Sequence, residues 1–159
     1  MTAANIASHG KRTESRFAAI KALYAADINH KIEENKTPAE LTLDIISYYH
    51  DNDEGLKNVK LDEEFLAKIV LGVCENISVL NQKIANNLTD GWSMERRGSV
   101  LRAILRAGVY ELMVFSDTPL KVILNEYVNI TREYFDEKEV GFVNGILDKI
   151  AHEVRENEV

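Results

Sequence analysis

The apolar residues of this chain recur at steps of three and four, the spacing that places side chains on one face of an α-helix. The pattern is most regular after residue 60, and there it predicts a single third helix through Leu66, Val70, Val73, Ile77, Leu80 and Ile84. The first helix, over about residues 11–31, is predicted from the stripe of Phe17, Ile20, Tyr24 and Ile28. No segment alternates apolar and polar residues as a half-buried strand would. The pattern therefore predicts an all-α fold.

Start signals and breaks divide the rest of the chain. Residues 37–40, Thr-Pro-Ala-Glu, form a capping box, and Pro119 marks a further helix start. Residues 100–115 are apolar on more than one face, which is typical of a central helix. The last helix is predicted over about residues 138–155. We expect six or seven helices in a bundle of two linked halves.

The predicted organisation is one domain with an arm. Residues 1–10 are expected to form a flexible N-terminal arm, and residues 11–159 a single helical domain. Its N-terminal half covers about residues 11–88 and its C-terminal half about residues 92–155, with the joint at Thr89-Asp90-Gly91. Residues 51–60 are polar and are predicted to form an exposed loop.

Composition limits the setting. The chain of 159 residues is 45% hydrophobic and 28% charged, as in a folded, soluble protein. No run approaches the roughly 20 apolar residues of a membrane span, and the first ten residues lack the apolar core of a secretory signal. Cys74 is the single cysteine, and it is predicted to be a small buried hydrophobe beside the third helix's apolar face. We expect a cytoplasmic protein without membrane contact.

The charge is distributed unevenly. The net charge is −7, yet residues 1–23 carry Lys11, Arg12, Arg16 and Lys21 against Glu14, an excess of +3 that leaves −10 for the remainder. Arginine grips phosphate with a planar fork of donors, and helical residues four apart project together. The basic residues are therefore candidates for binding RNA, with a solvated basic helix start as the alternative.

Catalysis is not expected. The four histidines have no cysteine, histidine or carboxylate at metal-ligand spacing, so no metal site is predicted. There is no phosphate-binding glycine loop followed by Lys-Ser/Thr and no GxSxG turn. We expect neither catalytic residues nor a cofactor.

Two further pairs lie four residues apart. Arg102 and Arg106 fall within the largely buried helix, and we favour a structural role, with Glu111 or Glu126 as the partner. Gly141 and Gly145 would let the last helix approach another backbone closely. Phe142, between these glycines, is expected to be partly exposed, with packing as its default role and stacking on an RNA base as the alternative.

Five segments resemble one family in order and spacing. Residues 105–112, LRAGVYEL, resemble the LRxxxYEL segment of the NusB family of bacterial antitermination factors, and residues 119–126, PLKVILNE, its PxxVxINE segment. Residues 142–149, FVNGILDK, are similar to its FVNGVLDK signature. Residues 22–24, ALY, and residues 92–96, with W-x-x-x-R, correspond to two further blocks.

The resemblance implies a fold of two three-helix-bundle-like halves and a function in transcription antitermination. It implies binding of the boxA element of nascent ribosomal RNA together with NusE, a small-subunit ribosomal protein. Other Nus factors and RNA polymerase would be indirect partners, and a homodimer is compatible with the apolar flanks of the central helices. By position, the RNA contacts fall on Lys11, Arg12, Arg16 and Lys21, with Phe142 as a neighbour. Individual contacts to the partner protein do not follow from it.

The chain departs from the family at its basic end. The family's first helix usually opens with a run of the form RRRAR, whereas residues 12–16 here read RTESR. Each lost phosphate contact weakens RNA binding and flattens its salt dependence. We therefore expect weak RNA affinity for this protein alone and a strong dependence on its partner.

Two other functions remain open at this point. One is the NusB-like RNA-binding domain that precedes a methyltransferase in certain ribosomal-RNA-modifying enzymes. The other is a helical adaptor that binds protein only. The adaptor predicts that replacing both Arg12 and Arg16 with alanine leaves every interaction intact.

Overall fold

The computed structural model describes residues 3–32, 36–51, 60–88 and 98–155, and for residues 3–10 and 28–32 the backbone alone. Within these ranges the chain forms seven helices and no strand, which confirms the all-α prediction. The helices are α1 (Ala3–Ile32), α2 (Pro38–Asp51), α3 (Glu63–Glu75), α4 (Ile77–Ala85), α5 (Ser99–Val114), α6 (Leu120–Tyr134) and α7 (Glu137–Val154). None of the helices in these ranges is both long and apolar enough to cross a membrane.

Contacts divide the chain into two compact units, Met1–Cys74 and Glu75–Val159. The first unit contains α1, α2 and nearly all of α3, and the second contains α4 to α7. The predicted joint at residues 89–91 and the W-x-x-x-R segment at 92–96 lie outside the described residues, as does most of the predicted loop at 51–60. The predicted bounds of the two halves, and the flexible arm, stay predictions.

Helix α1 differs from its predicted outline in two ways. It begins at Ala3 and not near residue 11, because alanine-rich sequence extends a helix at little cost once the helix has formed. Its buried face is formed by Ala18, Ala19, Ile20, Ala22 and Leu23, whereas Tyr24, predicted to be in the apolar stripe, is 40% exposed. The prediction relied on large apolar residues, whereas three of these five buried residues are alanines.

The start of α2 follows the predicted capping box. The backbone N–H of Glu40 donates to the Thr37 hydroxyl at 3.1 Å, which satisfies one of the donors left open at a helix start. Leu41, on the buried face of α2, contributes to the first unit's core, and α2 packs along α1.

The predicted third helix is interrupted. Asn76, with φ −116° and ψ 22°, separates α3 from α4. Asparagine favours such breaks because its side chain competes with the helical backbone for hydrogen bonds. Leu66, Val70, Val73, Leu80 and Ile84 are buried as expected, but Ile77, next to the break, is 37% exposed. Cys74, predicted to be buried, is half-buried.

Helix α5 is central to the second unit, as predicted from the apolar residues on more than one of its faces. It contacts α4, α6 and α7. A Cβ atom added at Gly108 would lie 3.0 Å from Cδ1 of Leu147 on α7 and 3.4 Å from Cγ of Tyr127 on α6. The absent side chain at Gly108 is therefore what lets these two residues pack against α5. Beside it, the Tyr127 hydroxyl donates to the fully buried carboxylate of Glu111.

A residue from the end of α7 closes the carboxyl end of α5. Arg155 is buried, and its Nε donates to the Leu112 carbonyl at 2.8 Å. Its other guanidinium nitrogens donate to the carbonyls of Phe115 and Thr118. The side chain thus satisfies the Leu112 carbonyl, which the end of α5 leaves without an intrahelical partner, and binds two carbonyls of the following turn.

Candidate nucleic-acid interface

The two arginines predicted to bind RNA pack on one aromatic ring. The guanidinium carbon of Arg12 lies 4.7 Å from the centroid of the Phe65 ring, and that of Arg16 lies 5.1 Å from it. Both arginines project from α1 towards the first turn of α3. Their four-residue spacing brings them together as predicted, but around a side chain of the protein itself.

The two arginines differ in exposure. Arg16 is 2% exposed, so its contact with Phe65 is part of the first unit's packing. The Arg12 side chain is 40% exposed and can meet solvent or a ligand while it stacks on Phe65. Arg12 is therefore the stronger candidate for a direct phosphate contact, and a direct contact by Arg16 would require it to leave its packed position.

A polar cluster fixes the surroundings of Arg12. We call it the Asp62 cluster, and it consists of Lys11, Arg12, Ser15, Asp62 and Phe65. The buried Ser15 hydroxyl donates to the Lys11 carbonyl at 2.6 Å and accepts from the Asp62 backbone N–H at 2.8 Å. The Asp62 carboxylate accepts from the Phe65 N–H at 3.1 Å through Oδ1, and Oδ2 lies 3.6 Å from Nε of Arg12. These bonds tie the start of α3 to α1.

The remaining basic residues of α1 lie apart from one another. Lys11 is exposed, whereas Nζ of Lys21 donates to the Tyr49 hydroxyl at 2.9 Å and lies 4.9 Å from the centroid of the Tyr49 ring. Lys21 therefore faces α2, while Arg12 and Arg16 face α3. The four predicted cations do not form one cluster, and Lys11 with Arg12 is the pair that is open to a ligand.

Two features were predicted for α7: partial exposure of Phe142 and close backbone approach at two glycines. Phe142 is half-buried, in agreement with the expected partial exposure. Gly141 and Gly145 were predicted to allow close backbone approach, and this is wrong for the described residues, because none of them lies within 4 Å of a Cβ added at either position. Gly108 on α5 has that role instead.

The arginines of α5, buried Arg102 and half-buried Arg106, bind polar neighbours within the second unit. Arg102 donates to the Ser99 hydroxyl at 2.9 Å, and Nε of Arg106 donates to the Asn81 side-chain oxygen at 2.8 Å. These contacts support the structural role favoured for both residues. The predicted partner Glu111 accepts from Tyr127.

Sequence reasoning missed the partners that position Arg12. Asp62 precedes two glutamates and an apolar run, which is a recognisable helix-start signal and could have been found. The pairing of Ser15 with Asp62 joins residues 47 positions apart and leaves no local signal. Across the described ranges, no group of three or more histidine, cysteine, aspartate or glutamate side chains could hold a metal ion.

Comparison with known proteins identifies the family. The NusB family model matches residues 13–152. The transcription antitermination protein NusB of Caulobacter vibrioides is 37% identical over 146 residues, covering 91% of this chain and 95% of the relative. NusB of Rickettsia typhi is 38% identical over 146 residues, covering 90% of this chain and 92% of the relative.

Solved structures agree with the sequence comparison. A structure of T. maritima NusB matches with a TM-score of 0.71 and 30% identity, covering 92% of this chain and 95% of that one. A structure of the antitermination factors NusB and NusE in complex with dsRNA contains a chain that matches with a TM-score of 0.72 and 28% identity, covering 90% of this chain and 97% of that one. The relatives are transcription antitermination proteins, which confirms the prediction of a non-enzymatic role. The chain belongs to the NusB family.

Proposed function

We propose that this protein is an RNA-binding transcription antitermination factor that binds the boxA element of nascent ribosomal RNA together with NusE. The observation that carries the proposal is its match, over 90% of its length, to a chain in a complex of NusB and NusE with dsRNA. The protein acts in the cytoplasm. Its complex with boxA RNA and NusE suppresses termination through other Nus factors and RNA polymerase.

The first unit supplies the RNA contact in this proposal. Lys11 is exposed and Arg12 is partly exposed on the same end of α1, where both cations can meet phosphate. Arg16 supports this surface by packing on Phe65, and Lys21 contributes a further positive charge that faces α2. In the second unit, Phe142, half-buried on α7, is the candidate for stacking on a base.

The experiment is a fluorescence anisotropy titration of labelled boxA RNA, with and without NusE. Replacing Lys11 and Arg12 together with alanine should weaken binding about tenfold or more, since two phosphate contacts are lost. Lys68→Ala is the matched control, because Lys68 is an exposed cation of the same unit whose ion-pair partner is the exposed Glu64. It should change binding less than twofold.

The same titration separates this function from a protein-only adaptor. If the protein were an adaptor, both variants would bind NusE as well as the wild type does. Neither the wild type nor any variant would then bind boxA. Arg16→Ala is avoided here, because the loss of a buried side chain would confuse folding with binding. Unchanged boxA binding by the Lys11/Arg12 variant would contradict the assigned surface.

A further inference from the structure

The carboxylate of Asp62 lies beside the Arg12 guanidinium, the group that an RNA phosphate would bind. Oδ2 of Asp62 is 3.6 Å from Nε of Arg12, and the two side chains are 33% and 40% exposed. Carboxylate and phosphate oxygens bind the same donors of a guanidinium, so the two anions compete for one group. The contact is thus both internal and within reach of a ligand.

The carboxylate is also held in place. Its Oδ1 accepts from the Phe65 N–H, and the backbone N–H of Asp62 donates to the buried Ser15 hydroxyl. Because both ends of the residue are fixed, Asp62 cannot readily swing away when an anion approaches. An incoming phosphate must therefore either displace Arg12 from Asp62 or accept a negative neighbour.

Asp62 is not needed to orient Arg12. The guanidinium carbon already lies 4.7 Å from the centroid of the Phe65 ring, and this contact holds the group over the ring without any carboxylate. An orienting role would predict that Asp62 strengthens RNA binding. A competing role predicts the opposite.

We propose that Asp62 is a built-in competitor that occupies the Arg12 guanidinium and lowers the affinity of this surface for RNA phosphate. The inference rests on the proposed function, since it concerns the same RNA contact. It assigns to one carboxylate a part of the weak RNA affinity predicted for the chain alone.

The test replaces the charge and keeps the helix cap. In Asp62→Asn the side-chain oxygen still accepts from the Phe65 N–H, because asparagine caps helices as well as aspartate does. Glu63→Gln is the matched control, since it removes one charge at the next position from an exposed carboxylate that pairs with His50. Asp62→Ser, which also keeps a capping oxygen, is the second variant, and thermal melting verifies that all three are folded.

The readout is the anisotropy titration of boxA RNA without NusE, run in the wild-type and Arg12→Ala backgrounds. Asp62→Asn should tighten binding about two- to fivefold, the range expected for freeing a partly exposed ion pair. Its salt dependence should steepen by about 0.7 if one more phosphate is neutralised. In the Arg12→Ala background, Asp62→Asn should no longer increase the affinity for boxA. The control Glu63→Gln should increase that affinity by less than half as much as Asp62→Asn does in the wild-type background.

The outcomes separate the inference from the proposed function. If the wild type binds boxA but Asp62→Asn binds equally or more weakly, the competitor is refuted and the function stands. An equal gain in both backgrounds also refutes it, because the charge would then repel RNA without acting through Arg12. Absence of boxA binding by the wild type, with and without NusE, would overturn the proposed function and the inference together.

Discussion

The hydroxyl of Ser15 accepts a hydrogen bond from the backbone N–H of Asp62 at 2.8 Å, across 47 positions of sequence. Ser15 is fully buried, and the same hydroxyl donates to the Lys11 carbonyl at 2.6 Å. One small side chain thus fixes the start of α3 against α1.

Ser15→Ala should lower the free energy of unfolding by about 1–2 kcal/mol, because the Asp62 N–H loses its acceptor in a partly buried setting. Urea denaturation followed by circular dichroism measures the change. Ser47→Ala, at an exposed position on α2, is the control and should stay within about 0.5 kcal/mol of the wild type. Equal effects of the two substitutions would contradict the structural role of Ser15.

Restoring arginines to the basic end should strengthen RNA binding. The variant Thr13→Arg with Glu14→Arg adds two cations beside Arg12, both at partly exposed positions. Without NusE, boxA affinity should rise, and the slope of log K against log salt should steepen by about 0.7 for each new phosphate contact. A salt titration by anisotropy gives both quantities.

The control for this variant has the same change in charge elsewhere. Asn125→Arg with Glu133→Arg places the cations on the exposed side of α6 in the second unit. If the two variants gain affinity equally, overall charge and not the position on α1 governs binding. Tight partner-independent binding by the wild type would refute the expectation of a weak basic end.

Glycine positions should respond in opposite directions to alanine. Gly108→Ala should lower the free energy of unfolding by about 1 kcal/mol, because its Cβ would press on Leu147 and Tyr127, which are both buried. Gly145→Ala should raise it by about 0.5–1 kcal/mol, since its Cβ meets none of the described residues within 4 Å and alanine favours a helix. Thermal or urea unfolding compares the stability of the two variants. If Gly108→Ala stabilises the protein, α7 is able to shift and accommodate the added Cβ.

Tyr110 should make stability depend on alkaline pH. Burial, and then the negative charge of Glu75, raise the pKa of Tyr110 above its ordinary value. The fold therefore favours the neutral phenol, and this contribution is complete below about pH 10 and is lost as pH rises through the raised pKa. In urea unfolding between about pH 9 and 11, Tyr110→Phe should lose less stability than the wild type.

Tyr24→Phe serves as the control for this pH series, because Tyr24 is on α1 and 40% exposed. Its pH profile should follow the wild type. Identical profiles for Tyr110→Phe and the wild type would mean that the raised pKa of Tyr110 has no share in the alkaline loss of stability.

Features set by neighbouring residues could be predicted from the sequence. The capping of α2 by Thr37 and the central place of α5 follow from local pattern and overall apolarity. The burial of Arg16 against Phe65 could not be predicted in this way, because it depends on which helix α1 meets. The glycine at the close helix contact could not be predicted either. The four-residue spacing indicated Gly141 and Gly145, but the close contact is at Gly108, where α6 and α7 meet α5.

The cap supplied by Arg155 has a consequence for the order in which the second unit is completed during synthesis. The carbonyls of Leu112, Phe115 and Thr118 are made well before Arg155, which follows them by 37 to 43 residues. Until Arg155 leaves the ribosome, its guanidinium bonds to these carbonyls are missing, and within the corner itself the Phe115 carbonyl accepts from the Thr118 N–H. The second unit is therefore finished late and as a whole, since its central helix acquires its final hydrogen bonds only when α7 has been made.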